Sequence, residues 1–241
     1  MGLYDRDYYK QQTKKQNNAA DTSKINVDLA APDSNLAAFI KQTYQLFAAS
    51  LLVASAGAYI GYQSPVVMQY YWLFVILEFA LIFGISFARG NNTLGLFMLT
   101  AFAFVSGLTI STILTYYIGV GAGGIVAQAL MLTMVAFLTL SVFAINTEKD
   151  FISYGRGMFW TLIVIVVASL INAFVFHNPI AQVAISGVSA ILFSMYIIYD
   201  TQNIIKGRYL SPIDGALSLY IDFINLFVSL VQILGFFSDR D

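Results

Sequence analysis

Two carboxylates stand inside long apolar runs near the end of the chain. Asp200 lies in IIYDTQNII and Asp222 in LSLYIDFINLFVSLVQIL. An ionisable side chain within a membrane span is costly to bury and marks a functional site by default. Two such carboxylates at one level cannot both carry charge cheaply. They share a proton and titrate as a coupled unit. Fully deprotonated, they offer hard oxygen ligands suited to a cation such as Ca²⁺. The plainer alternative is a charge-paired packing contact with no gating role, since structural networks also shift titrations.

That chemistry requires that the runs be membrane spans. The chain has 241 residues, 59% hydrophobic and 10% charged, against about 45–50% and 25% in soluble domains. This is the composition of a polytopic membrane protein. Net charge is -1 with no basic block, which argues against nucleic-acid binding. Cysteine is absent and histidine occurs once, as His177. Disulfides, thiolate metal sites, cysteine catalysis and multi-histidine metal sites are thereby excluded. No cofactor is expected.

Residues 1–34 are polar and of mixed charge, and read as a cytoplasmic tail. Tyr4, Tyr8 and Tyr9 give it docking points for a membrane-protein partner. Residues 35–238 form the transmembrane domain. Seven apolar segments fall at about 37–62, 66–88, 94–118, 122–146, 157–177, 180–206 and 213–237, each near the ~20 residues a helix needs to cross the hydrocarbon core. Pro32, Pro65, Pro179 and Pro212 fall at or just before predicted helix starts, where a missing N–H costs least. The remaining breaks use Gly90-Asn91-Asn92, the 119–124 glycine run and Thr147-Glu148-Lys149-Asp150. Long continuous apolar runs, rather than alternation over about ten residues, argue against a β-barrel. The fold class is therefore all-α.

Basic residues set the orientation. Eleven of the 12 Lys and Arg residues fall on one side if the N-terminus is cytoplasmic. Seven spans then put the C-terminus outside. Of the 13 Asp and Glu residues, only Glu78, Asp200 and Asp222 lie within spans. Asp200 precedes Lys206 by roughly 9 Å of helical rise, and Asp222 follows Asp214 by roughly 12 Å. The two lie at similar depth on helices joined by a short loop, hence adjacent ones. Arg89 ends the second span on the same side and can reach inward along its long side chain. Two acids and a guanidinium then form a three-body switch. Protonation weakens the link between the second span and the last two. If Arg89 and Asp222 share a level, Glu78 and Gln232 also share one, each roughly 15 Å deeper. A Glu78–Gln232 hydrogen bond would serve as structural glue or as part of an ion path.

These residues sit in motifs that resemble the Bax inhibitor family of transmembrane proteins. The pieces are WLFVILEFALIF followed by Arg89, TAFAFVSGLTIS, FSMYIIYDTQNI and LSLYIDFINLFVSLVQILGFF. The resemblance covers residues 36–238. It implies a seven-helix bundle with the last helix central. It also implies a pH-sensitive Ca²⁺ leak controlled by Asp200 and Asp222, with Arg89 as their partner. Family members often carry an arginine where Gln232 stands, so the second lock should be weaker here. Some bacterial relatives lack the aspartates and modulate a membrane-bound ATP-dependent protease. Short tails and compact loops suggest a bacterial member, in the inner membrane.

The leading expectation is a calcium leak channel. The alternative is a regulatory protein that binds a membrane protease or a cell-death partner. No enzymatic activity is expected. An intramembrane aspartyl protease would carry a GxGD motif at the second aspartate and a later PAL motif, whereas this chain has LYID and no PAL after it. A retinal-binding receptor would need a lysine in the last span, which has none. His177 reads as a turn residue. Gly107, Ser111, Ser186 and Ser189 read as small residues that allow close helix approach.

Overall fold

The computed structural model describes residues 34–88 and 90–238. The first helix, α1, runs Ser34–Gly61. It is followed by α2 (Pro65–Gln69), α3 (Tyr71–Phe87), α4 (Asn92–Gly119), α5 (Gly123–Asn146), α6 (Gly155–Ile171), α7 (Pro179–Ile205) and α8 (Pro212–Ser238). A 3₁₀ turn at Phe151–Tyr154 leads into α6, and a π turn at Asn172–Phe176 ends it. Among the described residues no strand occurs.

Local chemistry explains the boundaries. Pro65, Pro179 and Pro212 each open a helix, where proline's fixed φ is already helical. Asn91 caps α4 by accepting from Leu94 N at 3.0 Å. Asn178 caps α7 by accepting from Ile180 N at 2.9 Å and Ala181 N at 3.2 Å. Ser211 caps α8: its Oγ accepts from Asp214 N at 3.2 Å and donates to Asp214 Oδ2 at 2.9 Å. These side chains satisfy orphan donors of each first turn. Gly121, between α4 and α5, has φ +80, a conformation glycine adopts without steric cost.

Two segments differ from the sequence reading. The expected span at 66–88 is broken at Tyr70 (φ -107, ψ 24) into α2 and α3. The 17 residues of α3 rise roughly 26 Å, short of the ~30 Å hydrocarbon core, and α2 adds length at its N-terminal end. The expected span at 157–177 starts earlier, in the 3₁₀ turn, and closes in the π turn. There His177 takes a left-handed conformation (φ 49), and its N–H bonds Asn172 O at 2.7 Å. It is a turn residue, as its sequence neighbours suggested.

Six helices among the described residues are long and apolar enough to cross a membrane, and α3 is a shorter apolar helix. The surface matches a bilayer: Phe87 is 88% exposed and Phe97 70%. Such faces are untenable in water but not against lipid tails. Polar side chains turn inward instead, among them Thr43, Ser50, Ser106, Thr133, Ser186 and Thr201. The protein is an integral, multi-pass membrane protein.

Helix α8 packs against α4, α5 and α7. It also meets α1, where Phe47 stacks on Phe137 at 4.9 Å and meets Phe223 edge-on at 5.9 Å. Helix α6 is peripheral and buries only Met158 and Ile165. Helices α1 and α4 cross closely at Ala54, Gly57 and Gly107.

On the end that carries the α7–α8 loop, Lys206 Nζ lies 3.0 Å from Asp150 Oδ1. The Lys206 hydrogen bond holds the Asp150 carboxyl below its usual range. A carboxylate with a lowered folded value adds stability above its unfolded value and loses it as pH falls through the folded one. Exposed pairs are worth little. Asp150→Asn is therefore expected to lower the midpoint of thermal unfolding slightly at pH 7 and not at all once the pH lies below the folded value. Equal shifts at both pH values would show that Asp150 acts by some other route.

Candidate functional site

The site begins with four consecutive polar residues on α7, Asp200 to Asn203, all buried. In an apolar bundle each must find a partner. The Thr201 hydroxyl lies 3.5 Å from Ser141 Oγ on α5. Gln202 Nε2 donates to Lys149 O at 2.8 Å, and its Oε1 accepts from Phe151 N at 2.9 Å. Asn203 Nδ2 bonds back to Tyr199 O at 3.1 Å. Asp200 Oδ1 accepts from the Tyr209 hydroxyl at 2.6 Å.

Asp222 comes from the facing side of α8. Asp200 is 5% exposed and Asp222 3%. The two carboxylates lie within hydrogen-bonding reach of one another. Tyr196, one turn before Asp200, stands close to both. No donor among the described residues reaches Asp222 Oδ2. A buried carboxylate oxygen without a donor costs several kcal/mol when charged. A proton held between the two carboxyl groups removes that cost, because it supplies the missing donor and cancels one charge. The arrangement therefore favours a single shared proton.

The same oxygens can face a cation. Among the described residues no group of three His, Asp or Glu side chains gathers here or elsewhere. Ca²⁺ takes six to eight oxygens, so two carboxylates leave most of its shell to water. That suits passage of an ion more than permanent retention.

Arg89, the expected latch, lies outside the described residues, as does most of the 1–34 tail. Glu78 and Gln232, expected to share a level, have other partners. The Thr109 hydroxyl of α4 donates to Glu78 Oε1. Glu78 also lies near Tyr71 and near the Tyr220 ring, two residues before Asp222. Gln232 Oε1 accepts from Gln182 Nε2 at 3.0 Å and from Ser186 Oγ at 2.5 Å, both on α7. Gln182 Oε1 in turn accepts from Asn172 Nδ2 in the π turn at 3.1 Å. The Glu78–Gln232 bond is thus not formed. The depth argument left the angle around each helix open and also misplaced Glu78 in depth, since Glu78 stands by Tyr220, about 18 Å of helical rise before Gln232 on α8. Glu78 turns to α4, while Gln232 turns to α7.

Several participants were missed in the sequence, Tyr209, Gln202 and Gln182 among them. Tyr209 sits in a polar loop, and only its amphipathic ring hinted that it would bury. Gln202 belongs to a motif read solely for its aspartate. Gln182 stands near a helix start, where polar residues are commonplace. Burial and the Asp200 charge push the Tyr209 phenol up, so it remains a donor at every physiological pH.

A helical membrane protein with a carboxylate pair buried between its last two helices is the class that fold and site define. Comparison with known proteins narrows it. Residues 36–239 match the family described as "Inhibitor of apoptosis-promoting Bax1", and the chain belongs to that Bax inhibitor family. An uncharacterized protein of Campylobacter jejuni is 49% identical over 249 aligned residues, covering 100% of both chains. An uncharacterized membrane protein of Vibrio cholerae is 36% identical, over 84% of this chain and 91% of its own. "Bax inhibitor 1" of Schizosaccharomyces pombe is 33% identical, over 85% of this chain and 78% of its own.

Proposed function

We propose that this protein is a pH-sensitive calcium leak channel, gated by the Asp200–Asp222 pair with Arg89 as latch. In this reading α2 and α3 form one span, giving seven spans with α8 at the centre of the bundle. The N-terminus is cytoplasmic and the C-terminus outside. Bacterial relatives on this scale of identity support a bacterial inner membrane. No residue is assigned a catalytic role, and calcium is cargo, with no resident cofactor.

The observation that carries the reading is the orphaned Asp222 Oδ2 beside Asp200, buried where no donor among the described residues reaches it. One proton satisfies it, and a cation can replace that proton. Proton loss therefore exposes two negative charges that Ca²⁺ or a guanidinium can pair. Glu78, bonded to Thr109 and near Tyr220, is a further buried carboxylate of the bundle.

The test is Ca²⁺ entry into dye-loaded liposomes from about pH 6 to 8, the range a coupled buried pair can reach. Asp200→Asn and Asp222→Asn are each expected to flatten the pH dependence and change the flux several-fold. Unchanged flux and unchanged pH profile in both variants would sink the leak reading.

A second reading is favoured by the name of the yeast relative, Bax inhibitor 1. Here the protein binds and modulates a membrane protease or a cell-death partner through residues 1–34. Deleting that tail should abolish capture of a partner while leaving the leak intact. A leak that vanishes with the tail, with capture retained, would reject it.

A further inference from the structure

One side chain of the loop between α7 and α8 reaches the aspartate pair. The α7–α8 loop spans residues 206–211, between Ile205 and Pro212. Gly207 has φ +60, which lets the chain reverse after α7. Lys206, Gly207, Arg208 and Leu210 are exposed, while Tyr209 turns inward and packs against the main apolar core. Its hydroxyl donates to Asp200 Oδ1 and lies near Ser218 of α8 and near Asp222. Asp200 sits between one and two turns from the end of α7, so this is the loop side of the pair. Deeper in the bundle, Ile197 on α7 and Leu226 on α8 are buried. On the loop side of the pair lie the buried Ile204 and Leu219 of the two helices and, from the loop itself, the Tyr209 ring.

We propose that Tyr209 is a stopper on the aspartate pair: its phenol must leave Asp200 Oδ1 before water or a divalent cation can enter between the two carboxylates. Two features make it suited to this. A phenol fills space with its ring and holds position with one strong donor. The loop that carries it is short, largely exposed and joined through glycine, so it can swing without unfolding either helix. The groups that face Asp200 among the described residues are Tyr196 from its own helix, Asp222 from α8 and Tyr209 from the loop. Only the last is on a segment outside the helices. The inference extends the proposed leak by naming the group that opens its loop-side end.

The chain contains no cysteine, so access can be read by introducing one. Full-length Asp222→Cys, reconstituted in liposomes, leaves both Tyr209 and Asp200 in the chain. Its reaction with a water-soluble methanethiosulfonate is followed by mass spectrometry. Adding Tyr209→Phe keeps the ring and removes the donor. A hydrogen bond to a charged group holds a closed state by a factor of at least about ten, so the modification rate should rise about tenfold. Tyr209→Ala should raise it further. Val231→Cys, fully buried on the same helix, should stay unreactive throughout. Equal rates with and without Tyr209→Phe overturn the proposal. So does a parallel rise at Val231→Cys, which would mean general loosening of the bundle. This readout does not depend on flux. If Asp200→Asn and Asp222→Asn leave the liposome leak unchanged, the leak reading falls while the access rates still decide the role of Tyr209.

Discussion

Gly107→Ala is expected to destabilise the protein by about 2–3 kcal/mol or more, although it adds a single methyl group. In an ordinary helix the same change stabilises by roughly 0.5–1 kcal/mol, because glycine has more backbone freedom to lose on folding. The sign reverses here because of what the new Cβ meets. It would lie 2.9 Å from the carbonyl carbon of Ala54 and 2.9 Å from Ala58 N, with the Ala54 oxygen nearer still. All three are backbone atoms of α1, so no side chain can swing aside and the two helices must separate. Across the same crossing, a Cβ on Gly57 would meet the Phe104 carbonyl. Gly57→Ala should cost a similar amount, and the double variant less than the sum, because the first methyl already parts the helices. Gly187 on α7 supplies the control. A Cβ there meets nothing within 4 Å, so Gly187→Ala should be neutral or stabilising. Unfolding midpoints in detergent separate the cases. A Gly107→Ala protein as stable as Gly187→Ala would show that α1 and α4 do not depend on this contact.

The contrast between those glycines shows what the sequence could disclose. Membrane spans were legible because hydrocarbon thickness fixes their length. Each expected segment lies within a few residues of a helix, and Pro65, Pro179 and Pro212 mark helix starts as expected. Which face of each helix turns inward was far harder to read. In a soluble protein the buried face is the apolar one. Against lipid, both faces are apolar and the usual signal vanishes. The buried face of α4 shows itself instead through small and polar residues, Ser106, Gly107, Thr109 and Ser111. Two of these, Gly107 and Ser111, were recognised from the sequence as packing positions. The Asp200–Asp222 pairing was legible because a short loop joins their helices and fixes both depth and adjacency. Glu78 and Gln232 had no such tether, and depth alone paired them wrongly. The break at Tyr70 and the π turn at Asn172–Phe176 left no trace that hydropathy could register.

Gln202→Met is expected to cost about 2 kcal/mol and to release the loop between α5 and α6. Gln202 is 2% exposed, and methionine nearly matches its shape, so little packing is lost. What disappears is the polar end. The Gln202 amide accepts from Phe151 N at 2.9 Å and donates to Lys149 O at 2.8 Å. It thus stands in for a backbone partner on both sides of Asp150. Without it those two backbone groups must turn to water, which means the loop must lift from α7. The Phe143–Phe151 ring contact at 5.9 Å and the exposed Lys206–Asp150 pair are then among the loop's remaining anchors. Hydrogen exchange at the Phe151 amide should accelerate roughly tenfold or more, at ~1.4 kcal/mol for each factor of ten. Exchange within the buried face of α8, at Leu219 for example, should not change. Gln202→Glu should lose less, since one oxygen still accepts from Phe151 N, but its second oxygen then faces the Lys149 carbonyl unless protonated. An unaltered Phe151 exchange rate in Gln202→Met would assign the loop's anchorage to those remaining contacts instead. The result bears on the aspartate pair as well, because Gln202 and Asp200 occupy the same turn of α7. A loop held by one and a carboxylate carried by the other cannot move independently unless that turn of helix gives way.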